Sequence, residues 1–196
     1  MLLHLIRKID LIGKFYASNL GKNWIKNKLQ PVLPHLSKDQ KILDIGSGNG
    51  MITHHLRGRG IATTPIDVAN LSILPDVESI VYDGSTMPFD NQHFDTGLLL
   101  TVLHHCPDPI VVLREAARVS QQLIIIEDVY SNVVQQYMTY AMDTLVNFGH
   151  SSMTYQNKSD KEWRATFEEL GLTLVEQSSK RVLFFFRQAT YVLKVK

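Results

Sequence analysis

The sequence has a single cysteine, Cys106, so no intramolecular disulfide can form and a reducing compartment is expected. Long apolar runs are missing as well. Stretches such as Leu98 to Leu100 and Leu123 to Ile126 fall far short of the roughly 20 residues that a membrane-crossing helix requires. Arg7, Lys8 and Asp10 interrupt the apolar residues at the start, so no secretory leader is expected and the localisation reads as cytoplasmic. Charge is nearly balanced, with 20 Lys and Arg against 19 Asp and Glu, and no basic aromatic groove is evident; nucleic acid is not an expected partner. Cys-x-x-Cys pairs, His-Glu-x-x-His and other clustered ligand spacings are absent, so no metal is expected. The Gly-x-x-x-x-Gly-Lys-Ser/Thr pattern is missing too, which disfavours a nucleoside triphosphate.

With 196 residues, 44% of them hydrophobic, the chain is long enough for one full core, and one structural domain is expected. The balanced charge conceals an asymmetry: residues 1–41 hold eight Lys and Arg against two Asp. Apolar residues at Leu2, Leu5, Ile6 and Ile9 suit an amphipathic leader helix, and a second helix around Trp24, Ile25, Lys28 and Leu29 should end before Pro31. Together these read as an N-terminal helical cap over residues 1–36, ahead of a main domain over 37–196. The basic leader is either a solvated helix face or a peripheral contact with an anionic membrane surface or partner.

From Lys41 onward short apolar runs alternate with helical stretches, the pattern of parallel strands with crossover helices. Strands are expected at about 41–45, 62–67, 79–82, 94–100 and 122–127. Asp108 and Pro109 mark the start of a helix bearing Val112, Leu113, Ala116 and Ala117, and Ser-Asp-Lys-Glu from Ser159 fits a capping box for another that stops at Gly171. Leu172 to Glu176 and Val182 to Val195 read as a C-terminal hairpin separated by the polar Gln177 to Arg181. Only nine residues, Ala69 to Val77, link the second and third strands, too few for an ordinary crossover helix, so that sheet edge should be thinly covered.

The strongest local signal is Ile42-Leu43-Asp44-Ile45-Gly46-Ser47-Gly48-Asn49-Gly50, a buried strand running into glycines that open a helix. Such a loop lets backbone approach a ligand, and a helix N-terminus offers N–H groups to a carboxylate or phosphate. The dinucleotide fingerprint requires a third glycine where Met51 stands; a nicotinamide oxidoreductase survives only if Met51 is tolerated there.

Asp-x-Gly-x-Gly-x-Gly at Asp44 to Gly50 resembles motif I of the class I S-adenosylmethionine-dependent methyltransferases. Three more elements follow in order. Asp67 in Pro65-Ile66-Asp67-Val68, Asp83-Gly84 in Tyr82-Asp83-Gly84-Ser85, and Phe94 to His105 with its Leu-His-His are similar to the small type 11 methyltransferase domains. The resemblance implies a Rossmann-like α/β fold with a seven-stranded, mostly parallel sheet, a C-terminal antiparallel hairpin and helices on both faces. It also implies S-adenosyl-L-methionine as cofactor, with Asp67 on the ribose hydroxyls and Asp83 on the adenine amine. A carboxylate can accept two hydroxyl hydrogens as a pair, and an exocyclic amine needs one acceptor, so these roles suit the residue types. Asp44 could brace the loop or reach the ligand's ammonium. Ser47, Val68, Gly84, Leu100 and Thr101 complete the expected cofactor contacts, although Asp67 and Asp83 equally suit Asx turns at strand ends.

The resemblance further implies methyl transfer to a small-molecule acceptor. The Asn/Asp-Pro-Pro-Tyr/Phe tetrapeptide is absent, which disfavours nucleobase or glutamine amides. Base candidates are His104 and His105 after the fourth strand and His150 in Asn147-Phe148-Gly149-His150, with Asp128 and Tyr130 behind them; each equally suits a structural role. Tyr137, Met138, Tyr140, Met142, Phe148 and Met153 make the segment after the fifth strand rich in aromatics and thioethers, suited to an apolar or aromatic acceptor such as a quinone precursor, or to core packing. The alternative function is a subunit that binds the cofactor without catalysis and acts through a partner.

Overall fold

The computed structural model describes residues 19–130, 135, 137, 157–182 and 186–196. In chain order they form α1 (Asn19–Leu29), β1 (Lys41–Ile45), α2 (Met51–Arg57), β2 (Ala62–Asp67), β3 (Ile80–Val81), β4 (Phe94–Leu100), α3 (Pro109–Val119), β5 (Ser120–Val129), α4 (Asp160–Glu169), β6 (Thr173–Val182) and β7 (Phe186–Lys194). Short 3-10 turns lie at Leu33–His35 and Leu103–His105. The expected first leader helix, His150, and Met138, Tyr140, Met142, Phe148 and Met153 lie outside the described residues. No helix among the described residues is long and apolar enough to cross a membrane.

The strands make one seven-stranded sheet in the order β3-β2-β1-β4-β5-β7-β6. Pairing is parallel from β3 through β5, and β7 runs antiparallel to both β5 and β6, as the Rossmann-like expectation required. Alternation along the central strands sorts the core into two layers, because successive side chains of a strand leave on opposite faces. Leu43, Ile45, Leu99, Leu123 and Ile125 meet Val112, Leu113 and Ala116 of α3 and Trp163 and Phe167 of α4. Ile42, Leu98, Leu100, Ile124 and Ile126 meet Ile25 and Leu29 of α1 and Ile52 and Leu56 of α2. The second leader helix is thereby fixed against the sheet by its apolar residues.

Helix ends follow from local chemistry. The Asp108 carboxylate accepts from the Ile110 and Val111 N–H groups at 2.9 and 3.2 Å, with Pro109 supplying a first helical residue that needs no acceptor. Ser159 and Glu162 close a reciprocal capping box on α4.

Two expected boundaries are wrong. Gln177 to Arg181 is strand, not the loop of the hairpin, since β6 runs unbroken to Val182 and Lys180 pairs with Gln188. As the sheet's edge, β6 is exposed along most of its length, so it lacks the apolar alternation that a half-buried strand would display. At the other edge β3 shrinks to Ile80 and Val81; both are exposed and the link after Asp67 is irregular with no helical turn, so this edge is thinly covered, as the nine-residue link led one to expect.

Candidate functional site

In the sheet order, β1 continues toward β2 on one side while β4 continues toward β5 on the other, which opens a crevice at the carboxyl ends of β1 and β4. The glycine loop lines it. Gly46 lies at φ +70°, and a Cβ there would stand 2.6 Å from Val102 Cγ1 of the turn after β4. Gly46→Ala combines that clash with a left-handed backbone, and it is expected to cost about 2–4 kcal/mol, read as a lowered urea midpoint.

The loop is tightly self-bonded. Gly46 and Ser47 N–H donate to Ile66 O at 2.9 and 3.2 Å, Gly48 N–H to Asp67 Oδ2 at 2.8 Å, Gly50 N–H to Ser47 O at 3.0 Å and Met51 N–H to Asn49 Oδ1 at 3.2 Å. Ser47 Oγ meets Ser79 Oγ at 2.7 Å in the interior. Asp67 therefore braces the loop. Asp44, a candidate for that role by sequence, lies buried, accepts from Thr53 Oγ1 at 2.7 Å, and is pushed up to about 6 by burial.

Asp67 also accepts from the Val68 N–H at 2.7 Å, and burial raises its carboxyl against these bonds. Val68 itself is exposed. Asp83 is exposed and accepts from Ser85 and Thr86 N–H, each at 2.8 Å, which holds its carboxyl below the usual range. It shapes a turn beside Gly84 at φ +83°. A turn role and a ligand role are compatible, because each carboxylate oxygen has more than one lone pair.

At the end of β4, Leu100 is buried, and Thr101 adopts φ +62°, uncommon for a β-branched residue. Thr101 Oγ1 donates to Leu100 O and accepts from Lys28 Nζ, both at 2.6 Å. The two histidines that follow differ sharply. His104 is buried, with Nδ1 2.5 Å from Glu127 Oε2, whereas His105 is exposed with its ring centroid 3.9 Å from that of His104. Glu127, fully buried near the end of β5, also accepts from Val102 N–H at 3.0 Å and Leu103 N–H at 2.8 Å through Oε1. Since Glu127 already accepts from two backbone N–H groups, the arrangement in which it accepts from Nδ1 as well makes Nδ1 the donating nitrogen of His104.

The remaining candidates are held elsewhere. Asp128 accepts from Gln188 Nε2 at 3.0 Å and is raised by burial. Tyr130 hydroxyl donates to Glu162 at the cap of α4, at 3.1 Å. Tyr137 is exposed. Burial pushes the Cys106 thiol up to about 12, which makes it a poor nucleophile. Sequence reasoning missed Glu127 and Lys28, which the structure brings to His104 and Thr101 at this edge. Glu127 did carry a signal, a carboxylate directly after the apolar run Leu123 to Ile126.

The donor and acceptor set fits an adenosyl sulfonium cofactor: carboxylates stand at the end of β2 and just after β3, and a glycine loop with no room for a Cβ at Gly46 lies between them and β4. Residues 43–123 match the family of methyltransferase domains of type 11. The chain is 25% identical over 174 residues to a demethylmenaquinone methyltransferase of Corynebacterium kroppenstedtii, covering 80% of this chain and 75% of that one. Against a ubiquinone biosynthesis O-methyltransferase of Vibrio vulnificus it is 29% identical over 89 residues, 40% of this chain and 38% of that one, so it spans well under half of that relative's length. Among solved structures, an S-adenosylmethionine-dependent methyltransferase of Methanosarcina mazei shares the fold with a TM-score of 0.67 at 20% identity, over 84% of this chain and 96% of that one. The crevice, its glycine loop and these matches agree: residues 43–123 match a methyltransferase domain, the fold is that of the class I S-adenosylmethionine-dependent methyltransferases, and S-adenosylmethionine is the cofactor these matches imply.

Proposed function

We propose that the chain methylates a small apolar or aromatic acceptor bearing an acidic hydroxyl or carbon, with quinone precursors as the leading substrate class. The observation that carries this reading is the buried His104–Glu127 pair beside Thr101 at the carboxyl edge of the sheet. A histidine whose second nitrogen is held by a carboxylate is the arrangement of an oriented general base. Both quinone-pathway relatives lend the acceptor class its support.

In this reading Asp67 holds the ribose hydroxyls and Asp83 the adenine amine, with Val68 and Gly84 beside them. Gly46, Ser47, Gly48 and Gly50 shape the floor under the amino-acid tail, Asp44 lies below them, and Leu100 and Thr101 line its path. When bound, the cofactor supplies an electrophilic methyl group on a sulfonium. His104 Nε2 takes the proton of the acceptor, leaving its electron pair on the acceptor atom, and Glu127 stabilises the resulting imidazolium. Alignment of the acceptor provides much of the rest of the acceleration.

Two measurements test this. Isothermal titration with S-adenosylhomocysteine should show Asp67→Ala binding about 10- to 100-fold more weakly than wild type, from the loss of charge-assisted hydrogen bonds. Incubation with methyl-labelled S-adenosylmethionine and a panel of phenols, acids and quinone precursors should label at least one phenol or quinone precursor. Cofactor binding without label on any of them would favour the non-catalytic subunit.

A further inference from the structure

Lys28 stands out because its ammonium is buried and underbonded. It projects from α1, and part of its stem remains exposed, while Nζ reaches Thr101 Oγ1 at 2.6 Å and lies 4.9 Å from the Trp24 ring centroid. An ammonium has three hydrogens to donate, and Thr101 is its one hydrogen-bond acceptor among the described residues. The charged groups facing it are Asp128 and Glu127 of β5, Asp44 of β1 and Lys180 of β6. None is within ion-pair distance of it among the described residues. Each of those carboxylates has another partner: Asp128 accepts from Gln188, Glu127 from His104 and two backbone N–H groups, and Asp44 from Thr53. A buried cation left this way is costly unless something else completes its shell.

The cofactor presents one anionic group, the α-carboxylate of its methionine portion. The glycine loop has few donors left for it, since the N–H groups of Gly46, Ser47, Gly48, Gly50 and Met51 are all bonded within the protein. Every side chain that the motifs bring to the crevice as a charged group, Asp44, Asp67 and Asp83, is an acceptor. We infer that the Lys28 ammonium, held at the end of β4 by Thr101, is the counter-ion of the cofactor's α-carboxylate, so that α1 completes the cofactor site.

This assignment rests on the adenosyl cofactor occupying the crevice, and titration separates the two. S-adenosylhomocysteine and its decarboxylated analogue differ only in the carboxylate. Lys28→Met should weaken S-adenosylhomocysteine about 10- to 100-fold and leave the decarboxylated analogue unweakened, which also shows that the adenosine site is intact. Burial lowers Lys28 to about 8, so wild-type affinity for S-adenosylhomocysteine should fall about tenfold per pH unit above that value as the lysine loses its proton. Asp44 completes its ionisation lower, near 6, and does not produce this slope. Lys28→Arg, charged throughout, should retain affinity and abolish the slope. Equal weakening of both ligands by Lys28→Met, or weakening of neither, would overturn the inference. Wild-type protein that binds neither ligand would instead remove the cofactor assignment on which it rests.

Discussion

Glu127→Ala is expected to lower the free energy of unfolding by about 3–5 kcal/mol, a large share of the stability of a domain this size. The side chain is fully buried and its two oxygens take three hydrogens, from Val102 N–H, Leu103 N–H and His104 Nδ1. Alanine leaves all three donors inside the protein with nothing to meet, and each stranded donor costs roughly 1–3 kcal/mol before the cavity is considered. The residues released form the turn that follows β4, whose Val102 also packs against Gly46. The loss should therefore spread to the glycine loop. Urea denaturation of the variant would measure it, and Glu127→Gln makes the companion. Glutamine keeps an oxygen for the two backbone groups but offers His104 a donor in place of an acceptor, so a smaller loss of about 1–2 kcal/mol is expected. A cost below about 1 kcal/mol for the alanine variant would mean that other contacts hold this turn.

What the sequence made legible was whatever is encoded locally. Asp108 and Ser159 announced α3 and α4 because a cap needs only its own first turn. The crevice was legible because Asp44 to Gly50, Asp67 and Asp83 follow strands in chain order, and parallel strands bring their carboxyl ends to one edge. By contrast, β6 read as part loop, since an edge strand with little covered on either face leaves no periodic trace. The bond from Gly48 to Asp67 joins the loop after β1 to the last residue of β2, and that of Lys28 to Thr101 spans 73 positions; neither has any sequence pattern. His104 and His105 were equivalent as adjacent letters. Only the partner that β5 brings to one of them tells them apart.

That difference sets the expectation for catalysis. His104→Asn should lower methyl transfer to an identified phenol or quinone precursor by about 10²- to 10⁴-fold, the usual worth of an oriented general base, with S-adenosylhomocysteine affinity held within about twofold. The same change at His105 should cost less than about tenfold, because that side chain is exposed while the Glu127 carboxylate orients His104. Glu127→Gln adds an independent readout. By presenting a donor to Nδ1 it drives the imidazole proton to Nε2, the nitrogen that must be free of it to act, so activity should fall far more than the modest change in stability would produce. Raising the pH would not restore it, since the fault lies in which nitrogen carries the proton and not in the overall protonation of the ring. If His104→Asn retained near wild-type turnover while His105→Asn lost it, the base would be the exposed histidine and the buried pair a structural tie between β4 and β5. If both kept full turnover, transfer would proceed by alignment alone, and the acceptor would be one already ionised at the working pH.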